Sequence, residues 1–309
     1  MEKKKTKVFL TGATGVMGMA GLKELTSKPE EYDVIVLARS SNKNRKKLKP
    51  YIEKGVEVVW GDLLDEASLK KGISGADIVL HVGGMVSPLA DLYPEKTRKV
   101  NVGSMEKISR IVKDIEKSEP AREIKVVYIG SVSQYGSKLP PNHWGRSKDP
   151  MNPAKNDVYA ESKVKAEQAL ISSGVKKWVS IRQTSILHGG LLKNASNPVA
   201  FHTPLNGVLE WITEEDSGRL LERLCRKELP DDFWCKCYNA GGGEPFRKTN
   251  IEFEREILKA MGCPKPEKCL NRIGLPRKIF MGCGLKIRMN WILYCTTGKK
   301  ILLKMPCKE

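Results

Sequence analysis

The sequence predicts an α/β fold, in which a doubly wound parallel sheet is followed by a smaller, irregular C-terminal lobe. Over residues 1–185, short apolar runs alternate with longer segments that have helical spacing. The runs are mostly apolar and do not alternate strictly with polar residues, which is typical of parallel strands covered on both faces. A glycine-rich turn follows the first run. Right-handed crossovers between such units give a Rossmann-like sheet.

The strands and helices of this first part are assigned in chain order from the same patterns. The apolar, β-branched runs predict strands at Val8–Leu10, Val34–Leu37, Val56–Trp60, Ile78–Leu80 and Ile124–Ile129. The helical patterns between them predict helices at Met17–Ser27, Lys43–Lys54, Ala67–Gly72 and Ser104–Lys117. Apolar residues in the last helix recur at helical spacing, so it is expected to bury one stripe against the sheet.

The second part of the chain is less regular. A loop rich in Pro, Gly and Asn over residues 136–156 precedes a predicted helix, Asp157–Ser173, and a strand, Trp178–Arg182. Beyond about residue 186, prolines and glycines interrupt the chain at short intervals. We therefore expect two intertwined units in one compact molecule. Residues 1–185 form the main sheet and carry the site residues, and residues 186–309 form the smaller lobe that closes over a ligand.

Composition is that of a soluble globular protein, since 40% of the 309 residues are hydrophobic and 29% are charged. The sequence shows neither a signal peptide nor an apolar stretch long enough to span a membrane, so a cytoplasmic location is expected. The net charge is +18, but no nucleic-acid recognition motif accompanies it. The charge therefore predicts a solvated basic surface and no nucleic-acid partner.

The C-terminal segment differs from the rest of the chain. Residues 265–309 hold eleven Lys or Arg against two Glu. Residues 274–309 mix apolar and basic residues, which predicts a segment that packs on the smaller lobe or touches an anionic membrane, or else a tail of altered sequence. All eight cysteines lie after residue 224 without the paired spacing of a zinc site. Free thiols and no bound metal are expected.

The turn between the first strand and the first helix reads TGATGVMG, from Thr11 to Gly18. A pyrophosphate is bound by backbone N–H groups at a helix N-terminus, where a larger side chain would block its approach. A glycine-rich turn in this position therefore predicts a dinucleotide site. The predicted cofactor contacts in the turn are Gly12, Thr14, Gly15, Val16, Met17 and Gly18.

The second strand ends at Arg39 and Ser40. An NAD-binding protein usually has an acidic residue here to bind the ribose 2′-hydroxyl, whereas an arginine accommodates the 2′-phosphate of NADP. Lys43 and Arg45 follow closely and add to the positive charge. NADP(H) is therefore predicted in preference to NAD(H), with Arg39 and Ser40 as cofactor contacts.

Further motifs resemble those of the extended short-chain dehydrogenase/reductase family, which includes NAD(P)-dependent epimerases and dehydratases. The resemblance covers nearly the whole chain. TGxxGxxG matches the turn at Thr11, YxxxK matches Tyr159 and Lys163, and Ser131 matches the catalytic hydroxyl of the family's serine segment. The resemblance implies further cofactor contacts at Asp62, Leu63, Val82, Gly83, Gly84, Asn101 and Lys163.

The chemistry of these three side chains agrees with the resemblance. Tyr159 and Lys163 are four residues apart on a predicted helix, so they share one face. A free tyrosine has a pKa of about 10, and a neighbouring ammonium favours the phenolate. We therefore expect Tyr159 to exchange a proton with the substrate near neutral pH. Ser131 would donate a hydrogen bond to the same substrate oxygen while nicotinamide transfers hydride.

Substrate contacts are expected mainly in loops around this catalytic group. His143 and Trp144 precede the catalytic helix, in a loop of the kind that often touches substrate. With the positions that the resemblance places near the cleft, the expected substrate contacts are Met85, Ser87, Ser133, His143, Trp144 and Thr184.

Residues next to the catalytic group distinguish the branches of the family. Dehydratases that resemble this chain have Asp-Glu after the catalytic hydroxyl residue, whereas here Val132 and Ser133 follow Ser131. Epimerases usually have an Asn and an Arg that bind the nucleotide diphosphate. Ser185 and Leu209 stand at those positions here. Both nucleotide-sugar reactions therefore lack residues that they are expected to need.

The sequence thus predicts an NADP(H)-dependent oxidoreductase, a carbonyl reductase or alcohol dehydrogenase. It would transfer hydride between nicotinamide and a ketone or secondary alcohol, with a hydrophobic or steroid-like substrate as the specific expectation. One alternative is a nucleotide-sugar epimerase or dehydratase. Another is an NADP(H)-sensing binding protein without catalysis, against which the intact Ser131, Tyr159 and Lys163 argue. A monomer or homodimer that binds a small carbonyl or alcohol is expected.

Overall fold

Residues 4–136, 145–193, 206–260 and 262 are described by the structure, a computed structural model. Its main sheet contains β1 (Thr6–Thr11), β2 (Tyr32–Ala38), β3 (Glu57–Trp60), β4 (Ile78–His81), β5 (Lys125–Ser131), β6 (Lys177–Gln183) and β9 (Lys236–Ala240). The strand order is β3-β2-β1-β4-β5-β6-β9, and every neighbouring pair is parallel. The order reverses between β1 and β4. A ligand crevice is expected there, at the carboxyl ends of the strands.

Helices connect these strands and cover the sheet. They are α1 (Val16–Thr26), α2 (Asn42–Ile52), α3 (Glu66–Ile73), α4 (Leu89–Leu92), α5 (Pro94–Ser118), α6 (Val158–Ile171), α7 (Gly190–Lys193), α8 (Glu214–Arg223) and α9 (Asn250–Ala260). The predicted doubly wound α/β fold is confirmed.

Helix α5 is the main difference from the predicted elements, because it begins ten residues before the expected start at Ser104. Pro94 occupies its first turn, where the missing N–H of proline costs nothing. Its early turns bury Thr97 and Asn101 as well as Val100. Because these buried residues are polar, the first turns of α5 do not show the helical spacing of apolar residues from which the helix was predicted.

Two apolar clusters fill the faces of the sheet. One includes Leu22 of α1 and Leu220 and Leu221 of α8, packed on one face of the strands. The other includes Ile108 of α5 and Leu170 of α6, packed on the opposite face. Continuous burial on both faces explains why the strands are apolar at successive positions.

The chain after residue 185 contributes to both parts of the molecule. It forms a small sheet of β7 (Ser185–Leu187), β8 (Val208–Thr213) and β10 (Arg247–Thr249), in which β8 lies between the other two. It then returns to the main sheet, where β9 pairs with β6. Helix α8 packs against α1, and a Cβ built at Gly218 would lie only 2.7 Å from the Ala20 backbone. Helix α8 is thereby packed directly on the helix that follows the glycine-rich turn.

Some expectations fall on residues outside the described part of the chain. These are His143, Trp144 and the basic segment over residues 265–309. None of the described helices combines the length and the apolar character needed to cross a membrane. Among the described residues, no three His, Cys, Asp or Glu side chains are grouped to hold a metal ion.

Candidate active site

The glycine-rich turn brings the backbone of β1, β4 and α1 into close contact. Gly12 has a φ of +75°, and a Cβ there would lie 2.7 Å from the Gly83 nitrogen. A Cβ at Gly18 would lie 2.2 Å from the Gly12 carbonyl oxygen. Gly15 is the N-cap of α1 and has no side chain to cover the first N–H groups. The turn therefore has the open, backbone-lined form that a pyrophosphate requires.

Replacement of Gly18 by alanine is expected to damage this turn. The new methyl group would collide with backbone that cannot rotate away, so the turn must shift. We expect a loss of about 1–3 kcal/mol of stability, as for other overpacked positions, together with weaker dinucleotide binding. Gly103→Ala is the matched control, because nothing lies within 4 Å of its Cβ position in α5. Equal thermal stability and dinucleotide affinity of the two variants would contradict this account.

The loop after β4 is held by one buried amide. Asn101 of α5 accepts a hydrogen bond from the Met85 N–H at 2.7 Å and donates one to the Met85 carbonyl at 3.0 Å. Its amide also donates to the Ser162 hydroxyl of α6 at 2.8 Å. Asn101 thus fixes the Gly83–Met85 backbone relative to the helix that carries Tyr159. Asn101 therefore positions the loop after β4, and no direct contact with Tyr159 is among its hydrogen bonds.

A buried histidine joins the same loop to the glycine-rich turn. His81 Nδ1 lies 2.9 Å from the Thr11 hydroxyl, which accepts the Gly83 N–H at 3.1 Å. Its Nε2 lies 3.0 Å from the Ser104 hydroxyl of α5. Burial, together with the charge of Lys163, lowers the pKa of His81 to about 3. The imidazole is therefore neutral at physiological pH. Its two nitrogens connect the Thr11 hydroxyl of β1 to the Ser104 hydroxyl of α5.

The end of β2 carries a group of exposed cations. Arg39 and Ser40 are both exposed. Arg45 donates to the Ser40 hydroxyl at 2.7 Å, and its guanidinium lies 4.5 Å from the centre of the Trp60 ring. No carboxylate among the described residues forms an ion pair with Arg39 or Arg45. Stacking on Trp60 fixes the direction of Arg45 and leaves its charge available to an anion.

Asp62 and Leu63 follow β3 after one glycine, Gly61. Asp62 is half-buried and accepts the Leu64 N–H at 3.0 Å, which closes a short turn. Leu63 is half-buried and lies close to the loop after β4, since a Cβ at Gly83 would be 3.0 Å from its Cδ1. Val82 is half-buried beside Gly12. Leu63 and Val82 therefore lie close to the backbone of the glycine-rich turn and of the loop after β4.

Ser131 is the last residue of β5 and caps the short 3-10 turn Val132–Tyr135. Its hydroxyl accepts the Ser133 N–H at 3.2 Å and the Ser133 hydroxyl at 2.9 Å. Its backbone N–H donates to the Gln134 side chain at 2.8 Å. A further hydrogen bond joins the Ser131 hydroxyl to Tyr159. Because two donors already occupy its oxygen, the Ser131 proton can be donated to another group.

Tyr159 is half-buried in the first turn of α6. Burial raises the pKa of Tyr159, and the hydrogen bond from Ser131 only partly offsets it, while Asp157 raises it further. The expectation that Lys163 lowers this pKa is wrong. The ammonium lies 5.9 Å from the Tyr159 ring centre and is itself buried, so the loss of solvation dominates. Tyr159 is therefore a protonated phenol suited to donate a proton to a carbonyl oxygen.

Lys163 lies one turn further along α6 and is almost fully buried. Its ammonium donates to the Ile129 carbonyl at 2.8 Å and lies 5.0 Å from the Tyr128 ring centre. Burial lowers the pKa of Lys163 to about 8. A buried ammonium of this kind is expensive to maintain at neutral pH, which is typical of a group kept for function.

The depressed pKa of Lys163 predicts a pH-dependent stability. Between pH 8 and its ordinary pKa of 10.5, the unfolded chain binds more protons than the folded one, so stability rises with pH in this window. Lys163→Met should therefore be more stable than the wild type at pH 7, by about 3 kcal/mol at most. The difference should shrink toward pH 10. Urea denaturation across this range measures it, and a difference that does not change with pH would exclude the buried charge.

A buried ion pair joins α6, the helix that carries Tyr159 and Lys163, to β6. Glu167 of α6 is fully buried and accepts two hydrogen bonds from Arg182 of β6, at 2.6 and 3.0 Å. Arg182 also donates to the Tyr135 hydroxyl at 2.6 Å, and this hydroxyl donates to Asn239 of β9 at 2.6 Å. Ser180 donates to Glu167 at 2.5 Å. The network ties α6, β6, β9 and the turn after Ser131 into one rigid unit.

The structure places the other expected substrate contacts at different distances from this group. Ser133 is bonded to Ser131, and Met85 lies in the loop held by Asn101. Ser87 is half-buried two residues further along that loop. Thr184 is buried just beyond β6 and donates its N–H to the Ala240 carbonyl. All remain predictions as substrate contacts.

Sequence reasoning did not single out several residues that the structure connects to the site. These are Trp60, His81, Gln134, Ser162 and Gln183. Trp60 is the last residue of β3 and His81 the last residue of β4. Ligands of parallel sheets bind at the carboxyl ends of the strands, so a polar or aromatic residue at the end of a predicted strand could have indicated both of them. The contacts of Gln134 and Ser162 depend on the fold of the neighbouring turn and helix. Sequence spacing alone gives no indication of them.

Comparison with known proteins identifies the family of the chain. The model of the family described as NAD dependent epimerase/dehydratase matches residues 8–183. An uncharacterized protein of Saccharomyces cerevisiae is 44% identical over 77 residues, which is 25% of this chain and 24% of that protein. A sterol-4-alpha-carboxylate 3-dehydrogenase (decarboxylating) of Dictyostelium discoideum is 39% identical over 74 residues, or 24% and 21% of the two chains. The chain thus spans about a quarter of the length of these relatives.

Solved structures share the fold across most of the chain. A dTDP-glucose 4,6-dehydratase from Bacillus anthracis in complex with NAD superposes with a TM-score of 0.65 at 18% identity, covering 84% of this chain and 82% of that one. A Thermus thermophilus UDP-glucose 4-epimerase in complex with NAD gives a TM-score of 0.64 at 21% identity, covering 90% and 96%. The family model matches more than half of the residues. The chain belongs to the NAD dependent epimerase/dehydratase family.

Proposed function

We propose that the protein is an NADP(H)-dependent oxidoreductase that interconverts a ketone and a secondary alcohol. The observation that carries this proposal is the group of Ser131, Tyr159 and Lys163 at the carboxyl end of β5, with the glycine-rich turn two strands away along the same edge of the sheet. A proton donor, a second hydrogen-bond donor and a buried ammonium are the groups that carbonyl reduction requires beside a hydride source.

The residues of the crevice fit a nicotinamide dinucleotide. Any Cβ at Gly12 or Gly18 would collide with neighbouring backbone, and α1 begins between these two glycines, at Val16. Asp62 and Leu63 would border the adenosine, and the loop held by Asn101 would pass the nicotinamide half. Lys163 would bind the nicotinamide ribose. The bound nicotinamide supplies the hydride, or accepts it in the reverse direction.

The protein's own residues would handle the proton. The Tyr159 hydroxyl would donate its proton to the substrate oxygen as negative charge develops there, and Ser131 would donate a hydrogen bond to the same oxygen. The phenolate left behind would then take up a proton from solvent, which the raised pKa of Tyr159 favours. In the oxidising direction each proton moves the opposite way.

The preference for NADP(H) is supported by the charges at the end of β2. Arg39 follows β2 and Arg45 lies in the first turn of α2, and neither forms an ion pair with a carboxylate in the described part of the chain. Arg45 is also fixed by Trp60 and Ser40. A preorganised guanidinium binds a phosphate with little loss of side-chain entropy.

Removal of either guanidinium is expected to weaken NADPH binding selectively. A charge-assisted hydrogen bond contributes about 1.5–3 kcal/mol, so Arg39→Ala and Arg45→Ala should each raise the Kd for NADPH about tenfold or more. The Kd for NADH should change little. Lys46→Ala is a control, since Lys46 is an exposed cation of the same helix. Equal NADPH and NADH affinities in the wild type would refute the cofactor preference.

A nucleotide-sugar epimerase or dehydratase is the second candidate, favoured by the fold of the solved relatives. The local residues oppose it. Val132 and Ser133 follow Ser131, and Ser133 is bonded to it where a dehydratase needs an acid. Ser185 and Leu209 replace the expected diphosphate ligands. A diphosphate buried without cationic partners would lose several kcal/mol of affinity.

Calorimetric titration decides between these candidates. The proposed reductase should bind NADPH and show no micromolar affinity for UDP, dTDP or GDP. Micromolar binding of any of these diphosphates would instead favour a nucleotide-sugar epimerase or dehydratase. A non-catalytic NADP(H)-binding protein is the third candidate, and NADPH oxidation with any member of a panel of ketones, aldehydes and steroids would exclude it.

An apolar substrate is supported by the surface beside the catalytic group. Directly after Met85, the loop and α4 expose large apolar side chains: Val86 at 55%, Leu89 at 54%, Leu92 at 67% and Tyr93 at 55%. Exposed apolar residues that cluster in this way are typical of binding surfaces. The Dictyostelium relative is named for a sterol substrate. A steroid-like ketone is therefore the specific substrate that we propose.

A further inference from the structure

Gln183 is the direct neighbour of Ser131 in the main sheet. It is the last residue of β6, and the register pairs it with Ser131 of β5. Ser180 and Arg182 of β6 contact Glu167 on one face of the sheet. Successive side chains of a strand point to opposite faces, so Gln183 lies on the other face, which α1 and α8 cover. Ser131 lies on this face too, one strand away.

The Gln183 amide is held at one end and has no partner at the other. Its Nε2 donates to the Ser217 hydroxyl of α8 at 2.9 Å, and both residues are buried. Its Oε1 is buried and accepts no hydrogen bond from any described residue. A buried acceptor without a partner costs free energy, and such groups in native proteins usually meet a ligand or water. The anchored amide therefore presents a fixed acceptor next to the catalytic serine.

The position of this acceptor indicates which donor it would meet. If the function proposed above holds, Ser131 and Tyr159 fix the substrate oxygen, and the nicotinamide ring must lie beside the carbon that bears it. The dinucleotide enters from the glycine-rich turn at β1, and β4, β5 and β6 follow in that order away from the turn. The ring substituent farthest from the phosphates therefore approaches the end of β6. On nicotinamide this substituent is a carboxamide with two N–H donors.

We propose that Gln183 Oε1 accepts a hydrogen bond from the carboxamide N–H of the bound nicotinamide and so fixes the rotation of the ring. The ring then presents one face to the substrate, and Gln183 is a positioning residue for hydride transfer. Ser217 contributes by holding the Gln183 amide in one orientation. The inference rests on the proposed function, because it assigns a residue to the same cofactor.

An analogue of the cofactor tests this contact without any substrate. The 3-acetylpyridine analogue of NADP replaces the carboxamide NH2 by a methyl group and keeps the carbonyl. Fluorescence titration of the full chain should show that the wild type binds NADP about fivefold or more tightly than the analogue, as expected for one neutral hydrogen bond. Gln183→Met, which has similar volume but no acceptor, should weaken NADP binding alone and bring the two Kd values together.

Further variants keep the test decisive. Gln168→Met makes the same substitution on the exposed face of α6 and should leave the Kd ratio unchanged. If Gln183→Met does not fold, Gln183→Asn keeps an amide but withdraws its oxygen by one methylene, and it should lower the ratio in the same way. A ratio that stays at the wild-type value in a folded Gln183 variant overturns this inference alone. Absence of NADP binding by the wild type overturns both the inference and the proposed function.

Discussion

Tyr159→Phe is expected to reduce kcat by about 100-fold or more, because removal of a positioned general acid typically costs two to four orders of magnitude. The phenol is bonded to Ser131, and the structure keeps it protonated through burial. Phenylalanine preserves the packing of the half-buried ring in the first turn of α6. NADPH affinity should therefore change little, since the Tyr159 hydroxyl would act on the substrate and not on the cofactor phosphates. Steady-state kinetics with an accepted ketone, together with NADPH titration, measures both quantities.

The matched control for this variant is Tyr51→Phe. Tyr51 is half-buried in α2, which follows β2, three strands away from β5. Loss of its hydroxyl should leave kcat unchanged. Retention of more than a tenth of wild-type activity by Tyr159→Phe would mean that another group protonates the substrate. The catalytic assignment would then be wrong.

Glu167→Gln is expected to produce the largest loss of stability, about 3–5 kcal/mol, because it leaves the Arg182 guanidinium buried without a counter-charge. Glu167 is fully buried and Arg182 is 4% exposed, so water cannot replace the lost carboxylate. The loss should appear as a lower midpoint of urea denaturation with an unchanged slope. Activity of the remaining folded protein should also fall, since the network fixes α6 relative to Ser131.

Glu95→Gln is the control for this prediction. Glu95 also pairs with an arginine, Arg98, at 2.7 Å, but its side chain is 80% exposed. Exposed ion pairs contribute little because water and salt screen them. A Glu167→Gln variant no less stable than Glu95→Gln would show that the buried pair does not hold the catalytic helix.

The sequence was sufficient to predict six of the seven strands of the main sheet, because each of them contains an apolar, β-branched run and turn residues lie between the elements. Strand β9 (Lys236–Ala240) has no such run. It was also sufficient for the turn at Gly12 and for the pair Tyr159 and Lys163, since the spacing of these residues reflects local geometry. The start of α5 was missed because Thr97 and Asn101 are buried for their hydrogen bonds and not for apolar packing. Helices are predicted from apolar residues that recur at helical spacing, and buried polar residues of this type do not contribute to that spacing.

Properties that depend on contacts between distant segments could not be predicted. The sequence suggested that Lys163 lowers the pKa of Tyr159, but the balance is set by burial, which only the packed structure reveals. The partner of Gln183 is Ser217, which is 34 residues away on a helix from the small lobe. The stacking of Arg45 on Trp60 likewise joins α2 to the end of a different strand.

Transfer of deuterium from NADPH labelled at nicotinamide C4 tests the central claim most directly. The protein would be incubated with the labelled cofactor and a panel of ketones, steroids and nucleotide sugars, and the products analysed by mass spectrometry. We expect net oxidation of NADPH and one deuterium on the carbinol carbon of a product alcohol, with a ketone or steroid as acceptor and with no transfer by Tyr159→Phe. Conversion of a nucleotide sugar without net oxidation of the cofactor, and with no labelled alcohol from any ketone, would contradict the account.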